Sequence, residues 1–98
     1  MIAPSHLDVE VINALRGLAR SGQIDDRRGE EATLDLIEAP LERVDMTGLI
    51  PQIWGWRQNL SAYDAAYAAL AGALACPLIS ADRRLARAVR DSVSVIVV

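Results

Sequence analysis

Three carboxylates stand where a hard cation could be held: Glu10 in HLDVEVINAL, Asp64 in NLSAYDAAYAAL and Asp82 in LISADRRLARA. Asp64 lies one turn inside an apolar helix. Asp82 directly follows a short strand and heads the next helix. Glu10 sits at the border of a helical apolar stripe, off its centre at about 100° per residue, so it can reach a cleft while the helix still packs. Helix N-termini keep carboxylates ionised through the macrodipole. Ionised, clustered oxygens suit Mg²⁺, which takes a few carboxylates and keeps several waters.

Each acid also has a plain structural role. Ser61-Ala62-Tyr63-Asp64 matches a capping box, in which the Asp64 side chain would reach back to the cap amide. Asp82 ahead of Arg83-Arg84-Leu85 matches an N-cap. Glu10 can pair with Arg16 or with water at a helix edge. It is the presence of all three together that favours a metal.

Other chemistries find less support. His6 is the only histidine and has no obvious Ser or Cys partner, which argues against a hydrolytic triad. Cys76, ahead of Pro77 and a buried strand, reads as a small core residue. As the only cysteine it excludes an internal disulfide and fits a reducing compartment. There is no glycine-rich phosphate loop and no zinc-ligand spacing. Trp54 and Trp56, two apart, point different ways on a helix, one into the core and the other onto a contact surface. All ten basic residues are Arg and the net charge is −3, so the chain has no overall basic footprint. A nucleic acid would have to be drawn in by a local patch and a metal.

The elements that position these groups alternate along one domain spanning residues 1–98. Ser5 to Arg20 reads as a helix with the stripe Leu7, Val11, Ala14 and Leu18, stopped by Ser21-Gly22. Asp25 and Asp26 cap a second helix, running to about Glu38, with Ala32, Leu36 and Ile37 facing inward. Leu41 to Asp45 is a short strand. Thr47 to about Gln58 is helical, with Pro51 in its first turn. Ser61 to Ala75 is a helix with Tyr63, Tyr67, Leu70 and Leu74 on one face. Pro77 to Ser80 is a buried strand, Asp82 to Val89 a helix, and Val93 to Val98 a closing strand. Strands alternating with helices mean parallel pairing and an α/β fold. In such sheets functional groups gather where strands end and helices begin. No apolar run approaches the roughly 20 residues of a membrane span, and Met1-Ile2-Ala3-Pro4 is not a secretory signal, so the chain reads as cytoplasmic.

The segments APSHLDVEVINALRGLARSGQI and WGWRQNLSAYDAAYAALAGALACPLISADRRLARAV resemble the VapC-type toxins of the PIN-domain ribonuclease family. The resemblance implies an Mg²⁺- or Mn²⁺-dependent endoribonuclease of a toxin-antitoxin system that acts on RNA of the tRNA or rRNA class. It also implies a VapB-like antitoxin whose tail blocks the acidic cleft, and a homodimer or antitoxin complex. Position by position, Glu10 matches the family's helix-borne Glu, Asp64 the Asp of its YDAAY-like motif, and Asp82 the Asp of its TADRRLA-like motif. The family opens with a strand of the form VDASAL, whose Asp is a principal metal ligand, then a first helix. Met1-Ile2-Ala3 matches the strand after that. The implied fold is therefore a PIN-like three-layer sandwich with a parallel sheet, truncated at its N-terminus with the central first strand missing. Two function classes follow: the endoribonuclease toxin, or a catalytically impaired PIN-like protein that only binds an antitoxin or has no function.

Overall fold

The computed structural model describes residues 1–98, which divide into two compact units, Met1–Val44 and Asp45–Val98. In the first, β1 (Ile2–Pro4) leads through a turn into α1 (Leu7–Arg20), then α2 (Asp26–Glu38) and β2 (Glu42–Val44). The two strands pair in parallel, with Ala3 opposite Arg43 and Pro4 opposite Val44. Ser21-Gly22 stops α1 as its sequence requires. Gly22, at φ 78°, donates to the Ala19 carbonyl and Gln23 to that of Leu18, the left-handed closure that glycine accepts without strain. Asp25 caps α2 by accepting from the Arg28 amide at 2.7 Å.

The inward stripe of α1 is shifted from the expected one: Leu7, Val11, Leu15 and Ala19 are half-buried, whereas Ala14 and Leu18 are exposed. On α2, Ala32 and Leu36 turn inward, but Ile37 is 72% exposed. A two-helix, two-strand unit is too thin to cover every apolar side chain, and scattered exposure of this kind is ordinary. Its most specific tie is polar. Arg43 on β2 donates to both oxygens of Asp8 on α1, at 2.9 and 3.0 Å for the closest pair of bonds, and to the Leu36 carbonyl at 2.9 Å. One guanidinium thereby clamps both helices to the strand, and the bond to Asp8 raises the Arg43 pKa.

The second unit opens with a 3-10 turn (Thr47–Leu49) running into α3 (Ile50–Gly55), with Pro51 in the first turn. Then follow α4 (Ala62–Ala73), β3 (Leu78–Ser80), α5 (Arg83–Val89) and β4 (Val95–Val97). β3 and β4 pair in parallel, Leu78 opposite Val95 and Ile79 opposite Ile96. Leu78 and Val95 face a core built from Leu60, Ala65, Ala68, Ala71, Leu85, Val89 and Val93. Burying one Leu or Val there contributes about 1.5–3 kcal/mol. Ile79 and Ile96 point to the other face and are exposed, so the helices of this unit cover one side of its sheet.

α4 packs mainly on small residues, and of the expected Tyr63/Tyr67/Leu70/Leu74 face only Leu70 is fully buried. Ala65, Ala66, Ala68, Ala69, Leu70 and Ala71 are buried, while Tyr63 and Leu74 are exposed. Alanines let neighbouring elements approach closely, and a tyrosine hydroxyl favours the wet side of the helix. The helix ends in a Schellman turn: Cys76 donates to the Ala71 carbonyl and Ala75 to that of Gly72. Ala75 takes the left-handed position at φ 52°, where a Cβ is strained. Cys76, expected in the core, is instead exposed on this turn.

The α/β class and parallel pairing are as anticipated. The strands form two separate two-stranded sheets, β1–β2 and β3–β4, one in each unit.

Candidate functional site

Two of the three expected acids belong to the second unit, and helix capping treats them differently. Ser61 caps α4, its hydroxyl accepting from the Asp64 amide at 3.2 Å. Only this half of the capping box forms. The Asp64 carboxylate makes no hydrogen bond or ion pair within the chain, and the residue is exposed in the first turn of the helix. Asp82 does cap α5. Its Oδ1 accepts from the Arg84 and Leu85 amides at 2.9 and 3.2 Å, and its own amide donates to Ser80 Oγ at 3.0 Å. Both accepted bonds fall on Oδ1, so Oδ2 has no partner and the carboxylate is held in a fixed orientation.

Asp82 begins at the C-terminal end of β3, and α4 packs against β3 across the link 74–77. A helix that reverses onto the following strand brings its N-terminus toward that strand's C-terminal end. Asp64 and Asp82 therefore share one end of this unit, each in the positive field of a helix start. Glu10 belongs to the first unit, half-buried on α1. It pairs with His6 Nε2 at 2.8 Å, not with Arg16. Within neither unit are three His, Cys, Asp or Glu side chains grouped to hold a metal.

Other polar features had weaker sequence signals. Asp45 follows β2 as Asp82 follows β3, and its Oδ1 accepts from the Thr47 hydroxyl at 2.6 Å and the Thr47 amide at 2.9 Å. These bonds, the hydroxyl's first, hold its carboxyl below the usual aspartate range. The Asp-x-Thr spacing is a legible Asx-turn signal. The Arg43–Asp8 clamp was not legible, because it joins residues far apart in sequence. Charge is also uneven. The second unit carries five arginines against four aspartates, a net +1 within a chain of net −3. Trp54 is the exposed tryptophan at 65%, and Trp56 packs against the core.

The model of the PIN domain matches residues 1–91, a span that takes in Glu10, Asp64 and Asp82. The chain belongs to the PIN domain family. Over 82 residues it is 42% identical to ribonuclease VapC9 of Mycobacterium tuberculosis, covering 84% of this chain and 65% of that protein. Ribonuclease VapC3 of the same species is 35% identical over 88 residues, 90% of this chain and 64% of the relative. Ribonuclease VapC12 is 35% identical over 85 residues, 87% of this chain and 66% of the relative. The chain thus spans just under two thirds of the length of these curated relatives. No helix of this PIN domain is long and apolar enough to cross a membrane.

Proposed function

We propose that this chain is the greater part of a single PIN-like domain of a VapC-type toxin, a metal-dependent endoribonuclease of a toxin-antitoxin system. The observation that carries the reading is the pair of uncommitted carboxylate oxygens at two adjoining helix starts, the free Asp64 carboxylate and Asp82 Oδ2. Such hard, ionised oxygens match the donor preference of Mg²⁺ or Mn²⁺. Asp64 and Asp82 would hold the ion, and a bound divalent ion would offset the charge that develops on the phosphodiester.

The remaining roles fall to the chain itself. The two amides on Oδ1 fix the Asp82 carboxylate, so Oδ2 needs no reorganisation to accept a ligand. Ser61 holds the first turn of α4 and thereby the direction of Asp64. The substrate in this reading is RNA of the tRNA or rRNA class, and the setting is the cytoplasm. The partner is a VapB-like antitoxin, in a complex or alongside a homodimer. The further metal-binding Asp that the family carries on an earlier strand would complete the centre.

The testing experiment is Mg²⁺-dependent cleavage of a structured RNA. It compares the 98-residue chain with a protein in which an Asp-bearing first strand and helix precede Ile2. The longer protein cleaves and its Asp64→Ala variant does not, whereas the 98-residue chain cleaves weakly. Robust cleavage that survives Asp64→Ala contradicts the assignment.

A further inference from the structure

The second unit presents a surface whose chemistry suits single-stranded RNA. Arg57 lies over the Trp54 ring, 4.6 Å from its centroid, and donates to the Trp54 carbonyl at 3.2 Å. The guanidinium backs one face of an indole that remains 65% exposed, so a flat, rigid aromatic surface is held out to solvent. Beside it is an apolar pocket of about 410 Å³ that ends at Ser61 and Ala62, the start of the helix bearing Asp64. The chain continues from Arg57 into Gln58 and Asn59, which with Arg84 and Arg87 line a second, polar cleft of about 370 Å³. Arg84 lies in the turn that Asp82 caps. Each cleft thus opens within about one helical turn of a proposed metal ligand.

No carboxylate lines either cleft, and none pairs with Arg57, Arg84 or Arg87. Unpaired guanidiniums around amide side chains make a seat for phosphate, while the indole makes one for a base. That combination, a cationic groove with an aromatic platform, is how single strands are bound without reading their sequence. We propose that Trp54 is a base-stacking platform and that Gln58, Asn59, Arg84 and Arg87 hold the adjoining sugar-phosphate backbone. Together they lead a single-stranded RNA toward Asp64 and Asp82. The inference rests on RNA as the substrate. It supplies the local patch that a chain of net −3 needs in order to attract a polyanion.

The test is a fluorescence-anisotropy titration of the chain with a labelled 12-nucleotide single-stranded RNA and the corresponding duplex. It is run in EDTA so that neither metal nor cleavage enters. Trp54→Ala should weaken single-strand binding about 5- to 150-fold, the range of one lost base stack, and Trp54→Phe should recover most of it. The double variant Arg84→Gln/Arg87→Gln should flatten the slope of log affinity against log salt by about 1.4, at about 0.7 per phosphate contact. Far-UV circular dichroism shows that each variant stays folded. Unchanged affinity in folded Trp54→Ala, an unchanged salt slope, or equal affinity for the duplex overturns the proposal. So does a polyglutamate peptide that binds with the same dependence on Trp54, which would assign the surface to an acidic peptide. Because no metal is present, failure of metal-dependent cleavage leaves this result intact, and failure here leaves the cleavage test intact.

Discussion

Asp64 and Asp82 both sit at helix starts, yet neutralising them should affect folding to different extents. Asp82 accepts two backbone amides at the start of α5, so Asp82→Ala removes a formed N-cap, a loss of about 0.5–2 kcal/mol. Asp64 accepts nothing, and its only contribution to α4 is charge against the macrodipole, about 0.3–1 kcal/mol at low ionic strength. Salt screens that interaction, whereas a cap hydrogen bond largely persists. In 0.5 M NaCl, Asp64→Asn should therefore unfold in urea at nearly the wild-type midpoint. Asp82→Ala should unfold about 0.25–2 M earlier, for a slope of about 1–2 kcal/mol per M. Far-UV circular dichroism reads both transitions. If Asp64→Asn is as destabilised as Asp82→Ala at high salt, the Asp64 carboxylate is structural and the case for keeping it as a free ligand fails.

Four further outcomes follow from the same structure. Ala75→Gly should stabilise the chain by about 0.5–1 kcal/mol in urea, since it relieves a left-handed alanine at the end of α4; a loss of stability would refute the strained turn. Leu85→Ala in the core of the second unit should destabilise by about 2–5 kcal/mol, enough to unfold much of a small domain, and a near-native melting curve would contradict that packing. Arg43→Ala should lower the melting temperature more than Arg27→Ala does, because Arg43 clamps two helices while Arg27 makes one long, exposed contact with Glu31. The Asp45 carboxyl, followed by NMR, should titrate below the ordinary aspartate value of about 3.9, and Thr47→Ala should move it back up. With the folded value depressed, its contribution to stability is complete above about pH 3.9 and is lost as pH falls through the folded value.

Much of the fold was legible because local rules and tertiary structure agree here. Asp25, Ser61 and Asp82 are caps in sequence and in structure. Gly22 stops α1 with the expected geometry, and the β-branched run at the C-terminus forms a strand parallel to β3. Periodicity misled where side-chain size opposed it. On α4 the large Tyr63 and Leu74 lie exposed while alanines pack, because closeness of approach, not hydrophobicity, selects the buried face. The turn at Ala75 gave no warning, since the usual signal is glycine. Spacing and resemblance singled out three acids. Spacing could not say which would be tied up: Asp82 is tied through one oxygen, Glu10 lies beside His6, and Asp64 is left free. The Arg43–Asp8 clamp and the Trp54–Arg57 stack depend on geometry that residue order does not carry.

In the proposed site Asp64 and Asp82 serve one metal ion. The most direct measurement is Mn²⁺-induced line broadening in the amide NMR spectrum of the chain, with Mg²⁺ as the diamagnetic reference. Paramagnetic broadening fixes proximity to the ion without requiring catalysis. Amides around Asp64 and Asp82 should broaden together at substoichiometric Mn²⁺, and Asp64→Asn should abolish the effect at both. Broadening confined to one of them, or undiminished in Asp64→Asn, would contradict it.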